Sequence, residues 1–322
     1  MSTLSQSQLK QFEEEGWLLV EGLLDPETAL DPIIEEYHGV LNRLARTLHA
    51  EGKIESTYED LDFSERLIRI SEETREIYTR HFDFTLPQGN IKPDSPIWTG
   101  PAIFNVLRNP RILDVAEDII GPEIWSNPVQ HVRMKLPEDR TIVGEDGKPK
   151  EFITPWHQDN GVVRAEADET EMLTVWFPLW DAPVESGCLS IIPRSTEKGL
   201  RTHCTGRGPL AIPDQILETE KELPMPMKRG DVLFLHRHTC HRALPNQSKR
   251  VRWSLDLRYN PIGQPTGRDV FPGFVARSRA NPESELHDAE RWSQMWMETR
   301  ARLANKELEP FNRWNSTAEV CA

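Results

Sequence analysis

Cysteine is scarce in this sequence, and so is positive charge. The 322 residues include four cysteines, Cys188, Cys204, Cys240 and Cys321. They lack the C-x-x-C spacing of a zinc or redox motif and the density of a disulfide framework. That usage predicts free thiols in a reducing cytoplasm. Lys and Arg number 38 against 52 Asp and Glu, a formal net charge of −14. Such a balance argues against nucleic acid as a partner, because affinity there rests on neutralising phosphates, and it disfavours an anionic membrane surface. Long hydrophobic runs are missing too. Stretches such as 17–20 and 232–235 fall far short of a bilayer span, and no apolar segment follows the polar N-terminus to form a secretory signal. Hydrophobic residues make up only 37% of the chain, with a mean hydropathy of −0.57. No internal repeat or low-complexity tract is present.

What the sequence does have is ten Trp, eleven Phe and 25 Pro. The aromatic residues call for a packed interior beneath a wide charged surface. The prolines favour loops and turns over long bundles. The first third reads helical. Ser5 with Gln8 resembles a capping box, Gly16 stops that helix, and residues 17–20 look like a short buried strand. Asp25-Pro26 and Asp31-Pro32 both signal the start of a long helix running to about Ala50. Further helices are expected near 63–82 and 108–120. After about residue 122 the texture changes to short apolar segments between Pro/Gly clusters, at 130–136, 173–179, 188–192, 231–235 and 251–259. That pattern suggests a sandwich or barrel. Segments 137–152 and 200–222 read as irregular insertions. Trp292, Met295, Trp296, Thr299 and Leu303 mark a C-terminal helix with one apolar stripe. The expectation is one domain over 1–322: a helical part to about 121, a β core over about 122–260 and a helical extension over about 261–322.

Among ten histidines, His157-Gln158-Asp159 puts an imidazole and a carboxylate on one face of a strand. Two histidines and one carboxylate are the ligand pattern of non-haem Fe(II) oxygenases, because three protein ligands leave open positions for co-substrate and O₂. The spacing alone is weak, since His81-Phe82-Asp83 repeats it. Context favours His157, which follows Pro155-Trp156 and leads into Asn160-Gly161, a strand end opening into a loop. The second histidine could be His236, His238 or His241. If residues 245–248 turn a hairpin, His241 falls opposite Arg252, whereas His238 faces Leu255 and His236 faces Leu257. A ligand beside a buried Arg suits an iron enzyme whose co-substrate chelates the metal at one end and carries a carboxylate at the other. A one-residue slip would turn these faces over, so the residues alone leave the choice open.

Taken together, His157-Gln158-Asp159, Trp176, Ser186-Gly187-Cys188-Leu189, Pro193-x-Ser195, Gly230-Asp231, His241, Pro245-Asn246-x-Ser248 and Arg252 resemble the phytanoyl-CoA dioxygenase family of Fe(II)/2-oxoglutarate oxygenases. Phe12-x-x-x-Gly16-Trp17 and Val20-x-Gly22 are similar to that family's start. The resemblance covers residues 5–260. It implies a mainly β fold with added helices around a double-stranded β-helix (jelly-roll, cupin-like) core. It implies His157, Asp159 and His241 as iron ligands, Arg252 as the anchor of the 2-oxoglutarate C5 carboxylate, and Trp176 lining that pocket, with Lys135 and Gln130 on a bordering strand. The implied reaction hydroxylates an unactivated C–H of a small molecule with O₂, releasing succinate and CO₂. One departure is Ala243, where the family often has a serine that hydrogen-bonds the co-substrate. Asp159 is a true carboxylate, which argues against halogenase variants that lose it. Asn160, Arg164, His203, Arg207 and Arg258 are candidates for contact with the substrate, which the several arginines suggest to be anionic. Two other classes stay open: a cupin-like metalloenzyme that does not use 2-oxoglutarate, and a catalytically silent binding protein on the same barrel. Substrate identity and oligomeric state are not legible.

Overall fold

Ser5 caps the first helix as the sequence suggests. Its Oγ accepts from the Gln8 N–H while the Gln8 side chain accepts from the Ser5 N–H, and Gly16 ends the helix in a left-handed conformation, φ 81°. The computed structural model describes residues 3–150, 154–205, 209–311, 313–314 and 317–321. Helix α1 (Gln6–Glu15) leads into strand β1 (Trp17–Val20). Both Asp-Pro signals are used: Asp25 caps a single π-helical turn at Pro26–Leu30, and Asp31-Pro32 then opens α2 (Asp31–Ala50). The helix expected near 63–82 stops earlier. Helix α3 (Phe63–Thr74) ends where Arg75 turns left-handed, and His81 lies in a separate 3₁₀ turn. The helix expected near 108–120 is α5 (Pro110–Ile120), opened by the Asn109 cap and a helix-starting proline, and a separate helix, α4 (Pro101–Leu107), precedes it.

The β core contains β2 (Glu123–Ser126), β3 (His131–Lys135), β4 (Leu173–Pro178), β5 (Leu189–Ile191), β6 (Leu223–Met225), β7 (Val232–His236), β8 (His241–Ala243), β9 (Arg252–Pro261) and β10 (Phe274–Ser278), followed by α6 (Ala289–Leu303). The major sheet runs β1-β7-β4-β9-β2-β10, with β3 also paired to β9; the minor sheet runs β6-β5-β8. All pairings are antiparallel. The mainly β, double-stranded β-helix architecture with added helices is therefore the one expected. Strand β10, in the stretch expected to be helical, pairs with β2.

The two faces of the major sheet do different work, and β9 shows why. Trp253, Leu255, Leu257 and Tyr259 alternate with Arg252, Ser254, Asp256 and Arg258, and all eight are buried. The apolar set meets the helices: Trp253 stacks on Phe63 at 4.5 Å, and the Tyr259 hydroxyl donates to Leu107 O at 2.8 Å. Losing a buried ring such as Trp253 costs about 3–5 kcal/mol. Helix α6 joins this layer through Trp292 and Trp296. The opposite face of the sheet meets the minor sheet, where Trp176, Leu233 and Leu235 pack with Leu189, Ile191, Met225 and Ala243.

Two expectations need correction. His241 and Arg252 do not face each other across a hairpin. Strand β8 pairs with β5, whereas β9 pairs with β3 and β4. The turn at 245–248 is present, with Asn246 Oδ1 accepting from the Ser248 N–H. Its Nδ2, however, donates to Lys135 O in β3, so the chain crosses from the minor sheet to the major one. Nor are all four cysteines free. Cys204 and Cys321 form a disulfide across 117 positions, while Cys188 and Cys240 are buried thiols. Cysteine usage therefore no longer argues for a reducing compartment. Among the described residues no helix is long and apolar enough to cross a membrane.

Candidate metal centre

His157 and His241 are opposed backbone partners. Each N–H donates to the other's carbonyl at 3.0 Å, which puts both side chains on one face with ring centroids 4.1 Å apart. Two residues beyond His157, the chain enters a 3₁₀ turn at Asp159–Val162, and that turn carries the Asp159 carboxylate between the rings. His157 Nε2 lies 3.9 Å from Asp159 Oδ1, and His241 Nε2 lies 3.9 Å from Oδ2. One donor atom from each residue falls within 4.8 Å of the other two. The opposite ring nitrogens fix the tautomers. His157 Nδ1–H donates to Pro155 O at 2.9 Å and His241 Nδ1–H to Thr239 O at 3.0 Å, so both Nε2 lone pairs point to a common centre. Burial, with His241 beside it, pushes His157 well below its ordinary pKa.

Asp159 is held from the major sheet. Thr174 Oγ1 and Arg258 Nη2 both donate to its carboxylate. Burial alone would raise the Asp159 pKa, but the Arg258 charge, with the Thr174 hydrogen bond, outweighs it and holds the carboxyl well below the usual range. Each carboxylate oxygen retains a second lone pair for a metal. Two neutral imidazoles and one ionised carboxylate, with the rest of the coordination sphere open, fit Fe(II). His81 and Asp83 form no such group: among the described residues only His157, Asp159 and His241 do. Asp83 instead pairs with His131 Nδ1 at 3.1 Å.

This arrangement is accompanied by a match over most of the chain to a profile of the phytanoyl-CoA dioxygenase (PhyH) family, across residues 12–254. The chain belongs to the phytanoyl-CoA dioxygenase family. The 1-deoxypentalenic acid 11-beta-hydroxylase of Streptomyces arenae is 32% identical over 159 residues, covering 42% of this chain and 55% of the relative. The chain thus spans about half the length of that relative and of its Streptomyces exfoliatus counterpart, which is matched over 53% of its length. Phytanoyl-CoA dioxygenase domain-containing protein 1 of Danio rerio is 25% identical over 274 residues, covering 78% of this chain and 88% of the relative. The non-heme monooxygenase ThoJ, solved in its apo form, superposes with a TM-score of 0.58 at 15% identity, covering 92% of this chain and 96% of that one. At that identity the likeness establishes the fold.

Beside the metal donors, this phytanoyl-CoA dioxygenase family member has a cavity of about 320 Å³ lined by His157, Arg258, Val129 and the β3 residues His131, Arg133 and Lys135. Gln130 does not line it. Gln130 shares the parity of Val132 and Met134, which pack with the helical layer. Arg252 opens β9 opposite Lys135. Its guanidinium is 5.7 Å from the Trp176 ring, and Nη1 donates to Ser254 Oγ at 3.1 Å. A larger cavity, about 410 Å³, is lined by Trp180, Arg229, Arg250 and Arg252 but by none of the metal donors.

The residues expected to touch substrate are mostly engaged elsewhere. Asn160 Nδ2 donates to the carbonyls of Ala167, Asp168 and Thr170, so it shapes the metal-bearing turn. Arg164 pairs with Glu309 and lies over Phe311. Arg207 lies outside the described residues. Arg258 is committed to Asp159, Asp256 and Val129 O. His203 accepts from the Gln158 N–H through Nε2 at 3.0 Å and donates from Nδ1 to Arg201 O at 2.9 Å. It also fills the space where a side chain at residue 161 would stand, 2.0 Å from an added Cβ, so that position requires glycine. Thr174, which braces Asp159, was not singled out in the sequence, although it is two residues from Trp176 and shares its strand face.

His203 makes a pH prediction. Its hydrogen bonds require the neutral ring, and burial holds it down at about 4; burial also holds His131 down at about 4. The unfolded chain takes up these protons near 6.5 and the folded chain only near 4. The stability present above 6.5 is therefore lost as pH falls through that window. The urea midpoint should decline from pH 6.5 toward 4, and a flat midpoint would contradict neutral buried rings.

Proposed function

We propose that the protein is an Fe(II)/2-oxoglutarate-dependent dioxygenase. It hydroxylates an unactivated C–H of a small organic molecule, so that substrate, 2-oxoglutarate and O₂ give the alcohol, succinate and CO₂. The observation that carries this reading is the convergence of two Nε2 lone pairs and one braced carboxylate beside a cavity, within a chain of this family. When bound, iron and its co-substrate supply the oxidation of the C–H bond by O₂. His157, Asp159 and His241 hold the metal. Thr174 and Arg258 keep Asp159 ionised and oriented. Arg252, buried over Trp176 on the inner face of the major sheet, binds the far carboxylate of 2-oxoglutarate through its guanidinium fork. Ala243 supplies no hydroxyl there, so Arg252 and its neighbour Ser254 carry the polar recognition. Burial of the whole row excludes water.

Anaerobic titration with Fe(II) and 2-oxoglutarate tests the reading. A visible metal-to-ligand charge-transfer band is expected. In Arg252→Ala the 2-oxoglutarate concentration needed to produce it should rise about tenfold or more, the value of a hydrogen bond to a charged group. An iron-loaded wild-type protein with no band would exclude 2-oxoglutarate and favour a cupin-like metalloenzyme.

A further inference from the structure

Arg268, in the loop between β9 and β10 and beyond the family match, lines the cavity beside the metal donors. It is 3% exposed, yet it has no ion-pair partner among the described residues. Nη2 donates to Val162 O at 3.2 Å, at the end of the turn that carries Asp159. Nε is buried without a hydrogen-bond partner. Other buried arginines here are paired, Arg277 with Asp114 and Glu117 and Arg258 with Asp159 and Asp256; Arg66, 4% exposed, bonds Asn42 Oδ1 and Thr57 O instead and lines no cavity beside the metal donors. The chain has an excess of acids, but among the described residues no carboxylate lines this cavity, whereas Arg80, Arg133, Lys135, Arg258 and Arg268 do. Arg80 and Arg133 already face Asp83 and Asp256. A buried guanidinium without a counter-charge is strongly unfavourable; burial pushes Arg268 down to about 9. Such a group is explained by a ligand that brings the charge.

We infer that Arg268 anchors the carboxylate of a small organic-acid substrate, with the carbon to be oxidised held between that anchor and the His157–Asp159–His241 centre. The inference rests on the oxygenase reading for what happens to the acid, but not for its binding. A cavity of about 320 Å³ is at the small end of ligand sites, which suits a free acid and excludes an acyl-CoA held whole. The planar fork of Arg268 suits a carboxylate bidentately.

The test uses a panel of aliphatic and cyclic monocarboxylic acids and their methyl esters. Each is added to the metal-free protein, read by melting temperature, and to the anaerobic Fe(II)/2-oxoglutarate complex, read by the charge-transfer band. At least one acid should raise the melting temperature while its ester does not. Arg268→Met should weaken that acid about tenfold or more, keep the band, and melt above wild type because an unpaired buried charge is gone. Arg268→Lys should recover only part of the binding, since the fork is lost. The inference is overturned if Arg268→Met binds the acid as wild type does, if esters bind as well as acids, or if no acid shifts the melting temperature. It is also overturned if Arg268→Met loses the band, which would make Arg268 a 2-oxoglutarate ligand. A wild-type protein without the band but with acid-specific shifts would sink the oxygenase reading alone.

Discussion

Asp159→Ala is expected to abolish iron binding and to lower the unfolding free energy by about 3 kcal/mol. The two effects have separate causes. Removing the carboxylate leaves two imidazoles, and even the loss of a residue that only orients a ligand costs about 10–100-fold in metal affinity. Activity should therefore fall by more than about 100-fold. The stability loss comes from Arg258, 2% exposed, which would keep Val129 O and a single carboxylate, Asp256 at 3.3 Å. Breaking a buried pair from one side typically costs about 3–5 kcal/mol, and Asp256 places this case at the lower end. Asp159→Asn separates the effects. Its amide oxygen can still accept from Arg258, so the fold should hold while metal binding weakens. Metal analysis after gel filtration and urea unfolding read both quantities; full iron occupancy in Asp159→Ala would rule out the ligand set.

Cys321→Ser should produce the largest loss of stability from a single sulfur. The Cys204–Cys321 bond closes a loop of 117 positions. Chain-entropy arguments assign about 4.7 kcal/mol to a loop of roughly 100 residues, and native disulfides typically contribute about 2–5 kcal/mol. The bond also pins the tail against the metal-bearing segment. Trp314 stacks on His203 at 5.3 Å and donates to Gly161 O at 2.6 Å, and Arg313 reaches Asp168 and Asn160 O. Calorimetry of Cys321→Ser, and of wild type with and without reductant, measures the effect. Cys321→Ser and reduced wild type should melt together, well below the oxidised protein. Equal melting of all three would show that the bond adds nothing.

The parts legible in the sequence were those encoded locally. The capping box at Ser5, the strand periods and the His157-Gln158-Asp159 spacing each need only neighbouring residues. The parts that were not depend on distant partners. The turn at Asn246 has the same local chemistry whether it closes a hairpin or carries the chain between sheets. The choice is made by Lys135 O, more than a hundred positions away. His241 nonetheless faces the interior that Arg252 faces, because β8 and the inner row of β9 belong to opposing sheets. Cys204 and Cys321 are likewise distant, and composition cannot see a single long-range bond. Arg258 was noticed as a cation near the site, but its commitment to Asp159 requires β9 and the 3₁₀ turn to be brought together. Arg268 follows no periodic pattern, and only its place in the cavity beside the metal donors distinguishes it.

Strand β9 has a consequence for how this chain can vary. Its odd positions are the keel of the helical layer and its even positions the polar row of the sheet's inner face. Single substitutions there are local events. A one-residue insertion or deletion between Arg252 and Tyr259 would exchange the two sets at a stroke, sending guanidinium groups against Phe63 and an indole toward the iron donors. Length changes should therefore be confined to the connections flanking this strand, and lineages should diversify their chemistry by exchanging side chains on its even positions and on the loop that follows it.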